Sequence, residues 1–126
     1  MKGIIIPNSV KEIKNQAFLG CSSLTSIDIP YSVTSIGDSA FNGCSSLTSI
    51  TIRDSVESIG KQAFYGCSSL TIVYCKRTTP PTAGAQMFDN TRLVEICVPD
   101  AGAVAAYKAA TGWSSYSSLI TAHISQ

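Results

Sequence analysis

Gly20-Cys21-Ser22-Ser23-Leu24-Thr25-Ser26-Ile27 returns as Gly43-Cys44-Ser45-Ser46-Leu47-Thr48-Ser49-Ile50, and again as Gly66-Cys67-Ser68-Ser69-Leu70-Thr71-Ile72-Val73, each time 23 residues further on. A chain that repeats itself at this period reads as a solenoid. Each copy is one coil, too small to enclose its own apolar side chains, and it acquires a core only by stacking on its neighbours. At 126 residues the chain has room for a single domain of this kind.

Aligning the copies gives columns. Leu24, Leu47, Leu70 and Leu93 form one; Ile27, Ile50, Val73 and Ile96 the next; Ile29, Ile52, Cys75 and Val98 the third. Val10, Val33 and Val56 follow, then Ile13, Ile36 and Ile59, then Ala17-Phe18, Ala40-Phe41 and Ala63-Phe64. The alternation around Ile27 and Ile29 is that of a strand with one buried face, and stacked coils set such strands side by side in a parallel sheet, about 4.8 Å apart. Pro7 and Pro30 end their strands. Ser9-Val10, Ser32-Val33 and Ser55-Val56 open the return side, and Gly20, Gly43 and Gly66 mark the turn back, where a positive φ suits glycine.

The pattern Leu24-x-x-Ile27-x-Ile29-Pro30-x-Ser32-Val33-x-x-Ile36-Gly37-x-x-Ala40-Phe41-x-Gly43-Cys44 resembles the BspA-like leucine-rich repeats of bacterial and protozoan surface proteins. The resemblance covers residues 1 to about 99. The fourth copy is degraded: Met87-Phe88 replaces Ala-Phe, Thr79-Pro80-Pro81-Thr82 replaces the Ser-Val turn, and Phe88 lies 24 residues after Phe64, so one residue is inserted before it and one lost after it. The implied fold is an α/β-type repeat solenoid, a right-handed leucine-rich-repeat superhelix of about four coils with a parallel β-sheet on one face. The repeats occupy 1–99 and a C-terminal helical cap and tail 100–126. The resemblance also implies a cell-surface or secreted protein that binds other proteins, adhesive or host-directed, and that is not an enzyme.

The ends depart from the repeat. Asp100 is a good N-cap for a short helix over Ala101 to Ala110, with Gly112 able to terminate it. Val104 and Tyr107 are placed to dock that helix, and Trp113, Tyr116, Leu119 and Ile120 to cover the open end of the core, as terminal repeats require. At the other end Met1, Ile4 and Ile6 fall in the columns of Leu24, Ile27 and Ile29, so the chain starts inside a coil. An uncovered strand edge there invites pairing. The two expectations are further repeats ahead of residue 1 or end-to-end self-association of two chains.

Nine basic residues against eight acidic ones, with no basic stripe, disfavour nucleic acid and acidic membrane surfaces as partners. No apolar run approaches the roughly 18 residues of a membrane-spanning helix, and no signal-peptide pattern is visible in the first residues. Cys21, Cys44 and Cys67 share a column and read as a buried ladder of thiols acting as small hydrophobes. Cys75 falls in the inward Ile29 column, whereas Cys97 falls in the outward column of Asp28 and is the thiol expected to react with a reagent. A zinc site would need four ligands at close quarters; the only histidine is His123, near the tail. No metal or cofactor is expected.

Catalysis has little foothold. The serines recur at turn positions, and Asp28 with Asp54 is a weak approach to the carboxylate pair of a glycosidase. Binding is better supported, because a solenoid sheet presents an extended regular face. Its outward positions are Ser26 and Asp28, Ser49 and Thr51, Ile72 and Tyr74, then Glu95 and Cys97, with Lys76 and Arg77 following the third strand. The candidate partner-binding face is therefore Asp28, Thr51, Ile72, Tyr74, Lys76, Arg77 and Glu95, with Tyr74 as aromatic anchor. A protein partner is expected there, and a glycan is the other ligand class. Residues 76–86, the longest irregular stretch, add a loop of the sort that carries recognition. The alternative is a spacer segment of a larger surface protein with no ligand of its own.

Overall fold

The computed structural model describes residues 3–122, with side chains described from Ile6 onward. The coils stack as the columns require. Their long strands are β1 (Gly3–Ile5), β3 (Ser26–Asp28), β5 (Ser49–Ile52), β7 (Ile72–Cys75) and β9 (Glu95–Val98), all parallel where they pair. Ile4 faces Ile27, and Ile50, Val73 and Ile96 share one register row.

A second parallel sheet, which the columns did not announce, occupies the return side. It orders β2 (Glu12–Ile13), β4 (Ser35–Ile36), β6 (Ser58–Ile59) and β8 (Thr82–Ala83). The last of these lies inside the stretch read as irregular. Thr82 donates its N–H to Glu57 O at 3.0 Å and Gly84 to Ile59 O at 2.9 Å. The inserted residue shows in the register: Ser58 faces Thr82, 24 positions on, while Val73 faces Ile96, 23 positions on.

The Ala-Phe segments make a third line of contact. Gln16, Phe18 and Gly20 donate their N–H groups to the carbonyls of Asp38, Ala40 and Asn42 at 2.7–2.9 Å, and the same three positions repeat the pattern in the next two coils. Phe18, Phe41 and Phe64 consequently stack with ring centroids 5.2 Å apart and planes within 6°, and Phe88 continues the column 5.6 Å beyond Phe64. Such offset stacks add to the burial of the rings. Phe41, Phe64, Leu47, Leu70, Ile52 and Val56 are wholly buried, and among the described residues no charged one shares the core.

The C-terminal cap forms as expected, with one addition. Helix α1 (Ala101–Ala109) starts at Asp100, whose Oδ1 accepts from Ala103 N at 2.8 Å. Ala103 and Tyr107 bury its inner side, and Val104 packs half-buried beside them. Trp113, wholly buried, donates from Nε1 to Pro81 O at 2.9 Å and lies at 51° to Phe88, closing the phenylalanine column. Gly112 has φ +87°, and a Cβ there would meet Ala83 O at 2.8 Å, so both conformation and space call for glycine. Beyond a 3-10 turn, the chain returns as β10 (Ile120–Ala122), which pairs with β9 and extends the main sheet by one strand.

Gly37, Gly60 and Gly84 recur where the coils come closest. A Cβ on Gly60 would lie 2.6 Å from the carbonyl carbon of Gly37, with Asp38 N nearer still. Gly60→Ala is therefore expected to cost several kcal/mol in urea unfolding, as other core overpacking does (about 1–3 kcal/mol or more). Gly102→Ala, in α1 with only Asp100 Oδ1 at 3.5 Å, is expected to be neutral or to stabilise by about 0.5–1 kcal/mol. Equal effects of the two substitutions would contradict the packing described.

Candidate binding face

Strand parity sends alternate side chains outward, and the register sets them in two rows. Thr51, Tyr74, Cys97 and Thr121 form one, and Ser49, Ile72 and Glu95 the other. Asp28 belongs to the coil before and stands apart from the first row, because β1 and β3 form one two-stranded sheet while β5, β7, β9 and β10 form another. The candidate residues Thr51, Ile72, Tyr74 and Glu95 thus share a continuous hydrogen-bonded surface. Ile72 and Tyr74 are half-buried rather than fully presented. Lys76 holds its ammonium 6.0 Å from the Tyr74 ring centroid, and Thr121 Oγ1 donates to Glu95 Oε2 at 2.7 Å. Arg77 is turned to other work: its guanidinium donates to Asp54 O at 3.1 Å and its carbonyl accepts the Tyr107 hydroxyl at 2.7 Å, which braces α1.

The strongest polar cluster centres on Arg53, which reading by strand positions missed. Its Nε donates to Ile29 O at 2.9 Å, one terminal nitrogen to Asp28 Oδ1 at 3.0 Å and the other to the Tyr31 hydroxyl at 3.2 Å, and its guanidinium sits 4.5 Å from the Tyr31 ring centroid. In the next coil Lys76 donates its backbone N–H to Ile52 O. At the break between β3 and β5, the corresponding carbonyl of Ile29 is taken by an arginine side chain. The planar fork of Arg suits this multiple role, which Lys could not fill. The signal available in the sequence was the column itself: Arg53 and Lys76 are basic where Pro30 and Pro99 stand in the outer coils.

Cys97 corrects an expectation. It does point outward, level with Tyr74 and Thr121, yet only 3% of its surface is accessible. A small side chain between larger cross-strand neighbours is covered by them. Burial and the neighbouring Glu95 carboxylate push its thiol up to about 11. Cys75 is driven upward by burial, and Cys67 by Cys44 beside it and then by burial. Cys44 and Cys67 donate to the carbonyls of Phe18 and Phe41 at 3.3 and 3.1 Å, so the thiol ladder is tied to the phenylalanine ridge. Among the described residues no group of three His, Cys, Asp or Glu side chains gathers as metal ligands do. His123 lies outside them.

Residues 1–109 match the BspA-type leucine-rich repeat region, in six copies. The chain belongs to that family. Similar solved structures include a leucine-rich repeat protein of T. pallidum (33% identity, TM-score 0.64, covering 72% of this chain and 42% of that one) and one of Bacteroides ovatus (34%, 0.66, 79% and 26%). A leucine-rich cell surface protein of Faecalibacterium prausnitzii is also similar (26%, 0.67, 84% and 34%). The chain therefore spans less than half the length of each. Comparison with curated protein sequences gives no match. Membership places the chain in a repeat class of protein-interaction type, and no described helix is long and apolar enough to cross a membrane.

Reactivity follows thiolate fraction and access. Native labelling near neutral pH, mapped by peptide mass, is expected to modify the half-exposed Cys21 first and to reach Cys97 only as fast as the cap opens. Labelling of Cys97 ahead of Cys21 would contradict the burial described.

Proposed function

We propose that this segment is a non-catalytic binding module of a cell-surface or secreted protein, and that the outward rows of β5, β7 and β9 receive a protein partner. The observation that carries the reading is the Ile72–Tyr74–Lys76 surface, an aliphatic side chain beside an aromatic ring that has a cation over it, on a strand hydrogen-bonded to a neighbour on each side. Aromatic side chains fixed in this way lose little freedom on binding and are frequent interface anchors. Asp28, Thr51 and Glu95 would supply a polar rim, with Arg77 contributing through its bracing of the turn. The cell-surface setting draws on likeness to a protein whose name describes it as a cell surface protein, and the adhesive, host-directed role on the family resemblance alone. Fold alone does not carry it.

The spacer reading draws on the hydroxyl-rich outward positions of the first coils, Ser26 and Ser49, which share the sequence column that Ile72 interrupts. The two readings part in one experiment. The protein is tested against extracellular-matrix proteins, immobilised cells and glycans, beside a variant carrying Ile72→Ser and Tyr74→Ala. The binding module predicts a partner whose affinity falls at least about tenfold in the variant, the loss typical of a hot-spot side chain. Binding to none of these, or binding unchanged in the variant, would favour the spacer.

A further inference from the structure

At one column successive coils approach so closely that a Cβ has no room, and the first coil breaks its rule. Gly37, Gly60 and Gly84 occupy it in the second, third and fourth coils. None of the three has a left-handed backbone, so conformation does not explain the choice. Space does. A Cβ on Gly37 would lie 2.5 Å from Asn15 N and 2.7 Å from the Lys14 carbonyl carbon; on Gly60, 2.6 Å from the Gly37 carbonyl carbon; on Gly84, 2.5 Å from Lys61 Cα. Every one of these atoms belongs to the coil on the N-terminal side. The missing side chain is what lets that coil close to hydrogen-bonding distance, as in Gly37 N to Ile13 O and Gly60 N to Ile36 O, both 2.7 Å.

The register places Lys14 in this column. Ile13 faces Ile36, and Lys14 is the next residue, level with Gly37. A Cβ at this position points off the N-terminal end of the stack, at the place a further coil would occupy. The Lys14 side chain is 81% exposed, and its ammonium lies 3.1 Å from Glu12 Oε1. Together the pair rims an open apolar hollow of about 310 Å³, lined by Ile6, Val10, Ile13 and Phe18. The end is thus attractive to a coil in its centre and closed to one at its edge. A charged residue on an exposed strand edge is a common device against unwanted strand addition.

We infer that Lys14 is a stacking stop: it prevents another coil of the same 23-residue type from docking in register on the N-terminal end. The inference rests on the side chain and holds whatever residues a longer chain carries ahead of Met1. It also disfavours head-to-tail assembly of two copies, since the opposite end of the stack is occupied by α1 and Trp113.

The test grafts a copy of residues 24–46 directly ahead of Met1, in one protein that keeps Lys14 and in a second that carries Lys14→Gly. Ungrafted proteins with and without Lys14→Gly are the controls. The graft is joined by ligation as a 15N-labelled segment, so that its peptides, identical in sequence to those of the native second coil, are told apart by mass. Hydrogen exchange followed by mass spectrometry then reads the two separately, and protection across residues 24–122 as in the controls reports that the host is folded. The expected result is a graft protected as strongly as the native second coil in the Lys14→Gly protein, and exchanging at the rate of an unstructured chain when Lys14 is kept. Protection of the graft with Lys14 in place would overturn the inference. So would a graft left unprotected in both proteins, because the side chain would then not be what decides docking.

Discussion

Backbone contact between successive coils is the constraint on which the rest of this structure depends. Backbone N–H and C=O groups of successive coils meet along three lines, the main sheet (interrupted between β3 and β5), the short return sheet and the Ala-Phe ridge. A coil of 23 residues encloses nothing alone, so its lines of contact and the side chains between them form only against a folded neighbour. The phenylalanine column follows from the ridge. The ridge can form only because Gly37, Gly60 and Gly84 let the return strands close up. The identity of a residue with no side chain thus bears on the spacing at which the phenylalanine rings are stacked.

The same constraint shapes the candidate binding face. Because β5, β7, β9 and β10 are continuous, Ile72 and Tyr74 stand on a surface that is stiff and flanked on both sides. The ladder is interrupted between β3 and β5, and there Arg53 supplies from a side chain what the backbone does not, reaching Ile29 O, Asp28 and Tyr31 at once. The first two coils are therefore joined to the others through the return sheet, the ridge, the shared core and the Arg53 guanidinium but without the main-sheet ladder, so this seam is expected to open most readily. The C-terminal end is different: Trp113 and Tyr107 bury their rings, Tyr116 packs half-buried beside them, and each spends its polar atom on a neighbouring coil, through Pro81 O, Arg77 O and Asp89 respectively.

What was legible in the sequence was what repeats. The columns of Leu47, Ile50, Phe41 and their equivalents, the helix start at Asp100 and the capping role of Trp113 all follow from periodicity or from its end. The return sheet was not legible, because a two-residue strand such as Ser35-Ile36 shows no alternation. Thr82-Ala83 lacks even the isoleucine of its column. Strand β10 escaped because residues 120–122 follow no period. Cys97 was assigned to the correct side of the sheet, but parity does not say how large its neighbours are, and Tyr74 and Thr121 cover it. Arg53 and Tyr31 lie just beyond the strand positions, where a column-by-column reading stops, and Lys14 gains meaning only when the space around Gly37 is known.

The central claim, that stability is passed from coil to coil and is weakest across the β3–β5 seam, is tested most directly by residue-resolved hydrogen exchange in graded denaturant. The amides of the ridge in the third coil, Gln62, Phe64 and Gly66, should exchange only through global unfolding. Those of the first coil, Gln16, Phe18 and Gly20, should exchange through a smaller opening that involves the first two coils as one unit. Uniform protection from the first coil to the cap, or loss of the cap ahead of the first coil, would contradict it.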